Sequence, residues 1–123
     1  MKGSYLKFYV QEKRRLHGIL AYEWLLENAR TLGIHGGSAF QAIAGYGRNG
    51  VLHEQQFLEL AGDMPVEVGF AVTDEEADRL LQRLRDEKVS VFYVRLPVEF
   101  GVTADGPHEP DARMGRAVGS DPS

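Results

Sequence analysis

The stretch "AIAGYGRNG", residues 42–50, sets Arg48 and Asn49 among Gly45, Gly47 and Gly50. An arginine fork meets a carboxylate or phosphate with two parallel N–H bonds, and glycine lets backbone N–H groups come close to an anion. The chemistry this pattern suggests is capture of a small anion. The competing reading is a tight turn, since Asn49-Gly50 is a hairpin-forming pair and an isolated exposed arginine is ordinarily solvated. A plain bend needs one glycine, however, and this stretch spends three within six positions.

Other residues offer weaker chemistry. Lys88 could reach an anion, although a lysine just past a helix also suits the helix dipole without any ligand. The four histidines are His17, His35, His53 and His108, and none makes an HExxH or a two-residue ligand spacing with another. His53, next to Glu54, could join a site completed by folding or by a second subunit. Glu75/Glu76 and Asp86/Glu87 are paired acids, but they stand at helix ends where solvated acids are ordinary. No Ser-His-Asp order or nucleophile elbow is present. The expectation is a protein that binds and does no catalysis. An enzyme with a site between subunits is the rival.

The elements that must position these residues are legible in the pattern. "SYLKFYV" alternates, with Leu6, Phe8 and Val10 on one face and Tyr5, Lys7 and Tyr9 on the other. "QEKRRLHG" concentrates charge and puts His17 and Gly18 at a helix start. "ILAYEWLLENARTLG" then carries an apolar stripe through Leu20, Ala21, Trp24, Leu25 and Leu32, closed by Gly33, with Trp24 as the core anchor. "SAFQAIAGYG" returns to strand character, and "HEQQFLELAG" could hold a short helical turn. "MPVEVGFAV" is a strand with Val66, Val68, Phe70 and Val72 facing one way and Pro65 at its start. "TDEEADRLLQRLRDE" opens on Thr73 with Glu76 three residues later, the spacing of a capping box. Its stripe is Ala77, Leu80, Leu81 and Leu84, and Glu75 and Arg79 are spaced to pair across a turn. "VSVFYVRLPVEF" is a last strand that Pro97 ends or marks as an edge.

Strand, helix, strand, loop, strand, helix, strand predicts an α+β, ferredoxin-like βαββαβ sandwich, a four-stranded antiparallel sheet with two helices on one face. The domain spans 1–100, with a variable loop at 48–62 and a tail at 101–123, rich in Gly, Pro and Asp, expected to be disordered. The uncovered face would expose Tyr5, Tyr9 and Phe92 or Tyr93, which predicts an interface between copies.

Composition narrows the classes. A chain of 123 residues, 43% hydrophobic and 26% charged, holds one ordinary core. Its net charge of -4 argues against a nucleic-acid partner. No apolar run approaches the roughly 20 residues that cross a bilayer, so no membrane insertion is expected. Zero cysteines exclude disulfides and thiolate metal sites and fit a cytoplasmic location.

"LGIHGGSAFQAIAGYGRNG" and "MPVEVGFAVTDEEADRLLQRL" together resemble the PII signalling proteins, over residues 3–99. The shared features are Gly33, Gly36, Ser38 and the run Gly45-Tyr46-Gly47-Arg48 that leads into the family's flexible T-loop. "YEWLLENARTLGIHGGSAFQAIAGYGRNGVLH" followed by "DMPVEV" is similar to a bacterial PII-like branch with a shortened T-loop. The resemblance implies a homotrimer that binds an adenine nucleotide or another small anionic metabolite in clefts between subunits. It also implies that the loop engages a membrane transporter, an enzyme or another partner protein. Ser38 would contact the base region, the Gly47 backbone would line the cleft, and Asn49 stands where a glutamine helps bind magnesium or 2-oxoglutarate. Two departures limit this. The Gly-Asp-Gly-Lys phosphate loop is replaced by "RDEKVS", with acids at Asp86 and Glu87, and the arginine pair after the last strand is absent, the chain reading "LPVEFGVTAD". No cofactor is assigned with certainty on this basis. A structural or metal-tolerance-like trimer without effector would share the fold and leave "GYGRNG" as a turn.

Overall fold

A computed structural model describes residues 1–45 and 64–105. The loop expected at 48–62 and the tail from 106 onward lie outside them. Four long-range strands form the sheet: β1 (Lys2–Gln11), β4 (Ser38–Gln41), β5 (Pro65–Val72) and β6 (Phe92–Glu99). Their order is β4-β5-β1-β6, antiparallel throughout. Helices α1 (Ala21–Thr31) and α2 (Asp74–Asp86) cover one face, giving the ferredoxin-like α+β sandwich.

Alternation decides which face the helices cover. Leu6, Phe8 and Val10 of β1 are buried beside Val66, Val68, Phe70 and Val72 of β5. Helix stripes of Ala21, Trp24, Leu25 and Ala29, and of Ala77, Leu80, Leu81 and Leu84, close over them. Phe8 and Phe70 meet edge to face, centroids 6.2 Å apart. Burying a side chain of this size contributes about 1.5–3 kcal/mol.

Capping fixes the helix ends. Thr73 and Glu76 form the reciprocal box expected from their spacing, with Thr73 Oγ1 accepting from the Glu76 amide at 3.0 Å and Glu76 Oε1 from the Thr73 amide at 2.9 Å. Both helices end in the same bonding pattern. Ile34 N–H reaches Ala29 O and Gly33 N–H reaches Arg30 O, while Val89 N–H reaches Leu84 O and Lys88 N–H reaches Arg85 O. The left-handed residue is Gly33 in the first, φ +90°, but Lys88 in the second, φ 59°.

Three local readings are revised. His17 and Gly18 do not start a helix. They are the turn of a two-stranded hairpin, β2 (Arg15–Leu16) and β3 (Ile19–Leu20), and both have positive φ, as a two-residue hairpin turn twisted with its strands requires. The strand expected through "SAFQAIAGYG" ends at Gln41. Arg79 donates to Leu32 O at 3.4 Å rather than pairing with Glu75. Of the two readings of Pro97, the edge holds: it lies within β6, an edge strand, where a missing N–H is tolerated.

Edge strand β6 is tied down by a polar clasp on the helix side. Arg95 donates from Nε to Ser4 Oγ at 3.0 Å and from a terminal nitrogen to Asp78 Oδ1 at 2.8 Å, and Ser4 Oγ donates to Asp74 Oδ1 at 2.6 Å. The hydrogen bond to Asp78, helped by the charges of Asp78 and Asp74, holds the guanidinium above its ordinary value against the opposing effect of burial.

Candidate functional site

The sheet face away from the helices carries a row of side chains at one level: Phe40 on β4, Glu67 on β5, Tyr9 on β1 and Phe92 on β6. The next level holds Ser38, Gly69, Lys7 and Val94. Tyr5 and Leu96 pair at the level beyond. Exposures of 60% at Phe40, 42% at Phe92 and 45% at Leu96 show that this face is open in the single chain. Tyr9 and Phe92 rings lie 5.6 Å apart. Tyr5 lies over Gly69, whose missing Cβ leaves room for the phenol.

One ion pair interrupts the aromatic surface. Lys7 Nζ lies 3.5 Å from Glu67 Oε2. A hydrogen bond with Tyr9, reinforced by the charge of Glu67, holds Lys7 above the ordinary lysine value. The same ammonium lies 6.0 Å from the centre of the Tyr5 ring.

At the β4–β5 end of this face is a shallow cleft of about 320 Å³ lined by Tyr9, Phe40, Gln41, Ala42, Ala44, Gly45, Pro65 and Glu67. It sits at the root of the segment 46–63. Both feet of that segment are bonded to the sheet. Ala42 N–H donates to Pro65 O at 2.8 Å, Glu12 N–H to Met64 O at 2.9 Å, and Met64 N–H to Glu12 Oε1 at 3.2 Å. Small side chains at Ala42, Ala44 and Gly45 leave the space that the rings of Phe40 and Tyr9 border. Glu67 is the one charged residue among the described lining residues.

The residues singled out in the sequence divide accordingly. Gly45 lines the cleft. Ser38 opens β4 and shares the open face, one level from Phe40. Lys88 stands between α2 and β6, the edge opposite β4, with β5 and β1 intervening, and its backbone closes a helix. Gly47, Arg48, Asn49 and His53 lie outside the described residues. Phe40, Gln41 and Glu67 are not among the residues the sequence singles out, and Tyr9 is among them only as part of the uncovered face. Alternation put Tyr9 on the uncovered face, but only strand pairing brings it beside Phe40 and Glu67. Among the described residues no three His, Cys, Asp or Glu side chains are grouped to hold a metal ion, and no helix is long and apolar enough to cross a membrane.

Comparison with known proteins agrees with this architecture. A crystal structure from Thermus thermophilus, described as a candidate PII-like signaling protein, superposes with a TM-score of 0.52, covering 79% of this chain and 87% of that one at 20% identity. At that identity the likeness establishes the fold. A UPF0166 protein of Aquifex aeolicus (strain VF5) is 29% identical over 102 residues, which are 76% of this chain and 97% of the relative. The model of the DUF190 family (Uncharacterized ACR, COG1993) matches residues 3–99, all four sheet strands and both helices, and the chain belongs to that family.

Proposed function

We propose that this protein is a PII-like regulator in which three copies close their open sheet faces on one another. The cleft at the loop root takes a small effector, a nucleotide or another small anion, and the 48–62 segment carries the signal to a partner protein. The protein acts by binding and does no turnover. The observation that carries this is the placement of the cleft, which opens on the exposed aromatic face and lies between the two feet of the loop. A ligand there touches both the surface that closes against a neighbour and the root of the segment that signals. Among the described lining residues the charge is acidic, so an anion would be met by Arg48 and the backbone of Gly47.

The test is light scattering combined with calorimetric titration of ATP, ADP, cyclic dinucleotides, 2-oxoglutarate and bicarbonate. A mass of three chains and saturable binding of one of these ligands is the expected result. Arg48→Ala should then weaken binding by about 2–5 kcal/mol. A 13.7 kDa monomer at micromolar concentration would overturn the assembly. Phosphoester turnover that disappears on replacing His53 or Glu54 would make the protein an enzyme.

A further inference from the structure

Charges are depleted at the cores of protein interfaces, yet the two central strands of the open face place a cation and an anion near its middle. Lys7 and Glu67 are diagonal neighbours across the β1–β5 ladder, with side chains 25% and 33% exposed. Tyr5 and Tyr9 flank Lys7 along β1, Phe40 stands opposite Glu67, and Val94 stands opposite Lys7. A patch serving a partner of one charge would need only the opposite sign. A patch holding both signs side by side within an apolar frame can offer its cation to one neighbour and its anion to the other, as a head-to-tail ring of copies requires.

We propose that Lys7 and Glu67 set the register of contact between copies of this chain, the Lys7 of each copy meeting the Glu67 of its neighbour around the assembly axis. The inference rests on the assembly proposed above. Closing the face removes the remaining water from both charges. Each charge already has its partner 3.5 Å away in its own chain, so what distinguishes one closure from another is the second contact across the interface, and arrangements that set like charges of neighbouring copies together are disfavoured. The rings supply area without direction, and the alternating charges select the one closure that satisfies them. Glu67 also lines the cleft, which places the register contact beside the proposed effector site.

The experiment mixes complementary variants of the full chain. Lys7→Glu gives a face with two acids and Glu67→Lys a face with two cations. Each alone should assemble at least roughly tenfold more weakly than the natural protein, as expected when buried charges lose their partner. In a ring of three, each mixed assembly has two complementary contacts and one like-charge contact, so the equimolar mixture should assemble more strongly than either variant though less strongly than the natural protein, with mixed assemblies outnumbering those of either variant in native mass spectra. Either variant assembling with natural strength, or a mixture no stronger than its components, overturns the inference and leaves the assembly itself standing. Circular dichroism confirms that each variant is folded. Should the charge reversals unfold the chain, Lys7→Met and Glu67→Gln replace them; both should weaken assembly, while Lys7→Arg should preserve it, and natural strength in the neutral pair would refute the role. A monomeric natural protein would remove this inference and the assembly together.

Discussion

Lys7 shows how much one side chain on an open sheet owes to its neighbours. Its ammonium is held protonated by Tyr9 first and Glu67 second, so its folded-state value lies above the ordinary 10.5. Stabilisation from a group shifted upward is fully present below the ordinary value and is lost as pH rises through the shifted one. Thermal melts of the natural protein and Lys7→Met should therefore differ by a constant amount from neutral pH up to about pH 10, and the difference should shrink above it. A gap that instead closed between pH 6 and 8 would show that Lys7 is not its source. Phe8 is the contrasting case. It is fully buried and stacked edge to face on Phe70, and its replacement by alanine should cost about 3–5 kcal/mol in chemical denaturation.

Among the elements, the ends of the helices are the most informative. The α2 C-terminus repeats the bonding of the α1 C-terminus but puts Lys88, a residue with a Cβ, where the first uses Gly33. A non-glycine residue in the left-handed region is disfavoured by about 1–2 kcal/mol. Lys88→Gly should consequently raise stability by about 1 kcal/mol in urea unfolding, less than the full strain because glycine gains freedom in the unfolded chain. If Lys88 serves an effector instead, the same variant would lose ligand affinity, and the pair of measurements separates the two roles. At the other end of α2, Thr73→Ala removes one half of the capping box and should destabilise by about 1 kcal/mol.

At the scale of the whole molecule, the two faces of the sheet have different fates. The helix side is filled by the core, whereas the other exposes Phe40, Phe92 and Leu96 together with partly covered Tyr5 and Tyr9. Contiguous apolar surface of that kind marks an interaction site. Replacing Phe40 and Phe92 together by aspartate should give a folded, single-chain species in light scattering, because the core lies entirely on the opposite face. Unfolding of that double variant would show that the face belongs to the stability of the chain rather than to its assembly. The loop feet belong to this scale as well. Ala42–Pro65 and Glu12–Met64 bonds join residues distant in sequence, so the described residues on either side of 46–63 are held to the sheet.

What could be read in the sequence was whatever local sterics and periodicity decide. A period of two assigned Leu6, Phe8 and Val10 to one face and Tyr5, Lys7 and Tyr9 to the other, and the burial of β1 follows it residue by residue. The Thr73/Glu76 spacing announced its cap, and Gly33 its helix end, since both depend only on residues a few positions apart. The His17-Gly18 hairpin escaped because a charged segment of eight residues carries no apolar period, and histidine is a rare occupant of a left-handed turn position. Long-range pairing decided the remainder. Tyr9, Phe40, Glu67 and Phe92 lie on four strands spread over more than eighty residues, and their meeting in one row follows from strand order and register. A one-residue slip in any ladder would send a side chain to the opposite face, and what forbids the slip is burial of the helix-side core. The cleft and the Lys7–Glu67 pair are consequences of that choice, made by tertiary packing on one face of the sheet and expressed on the other.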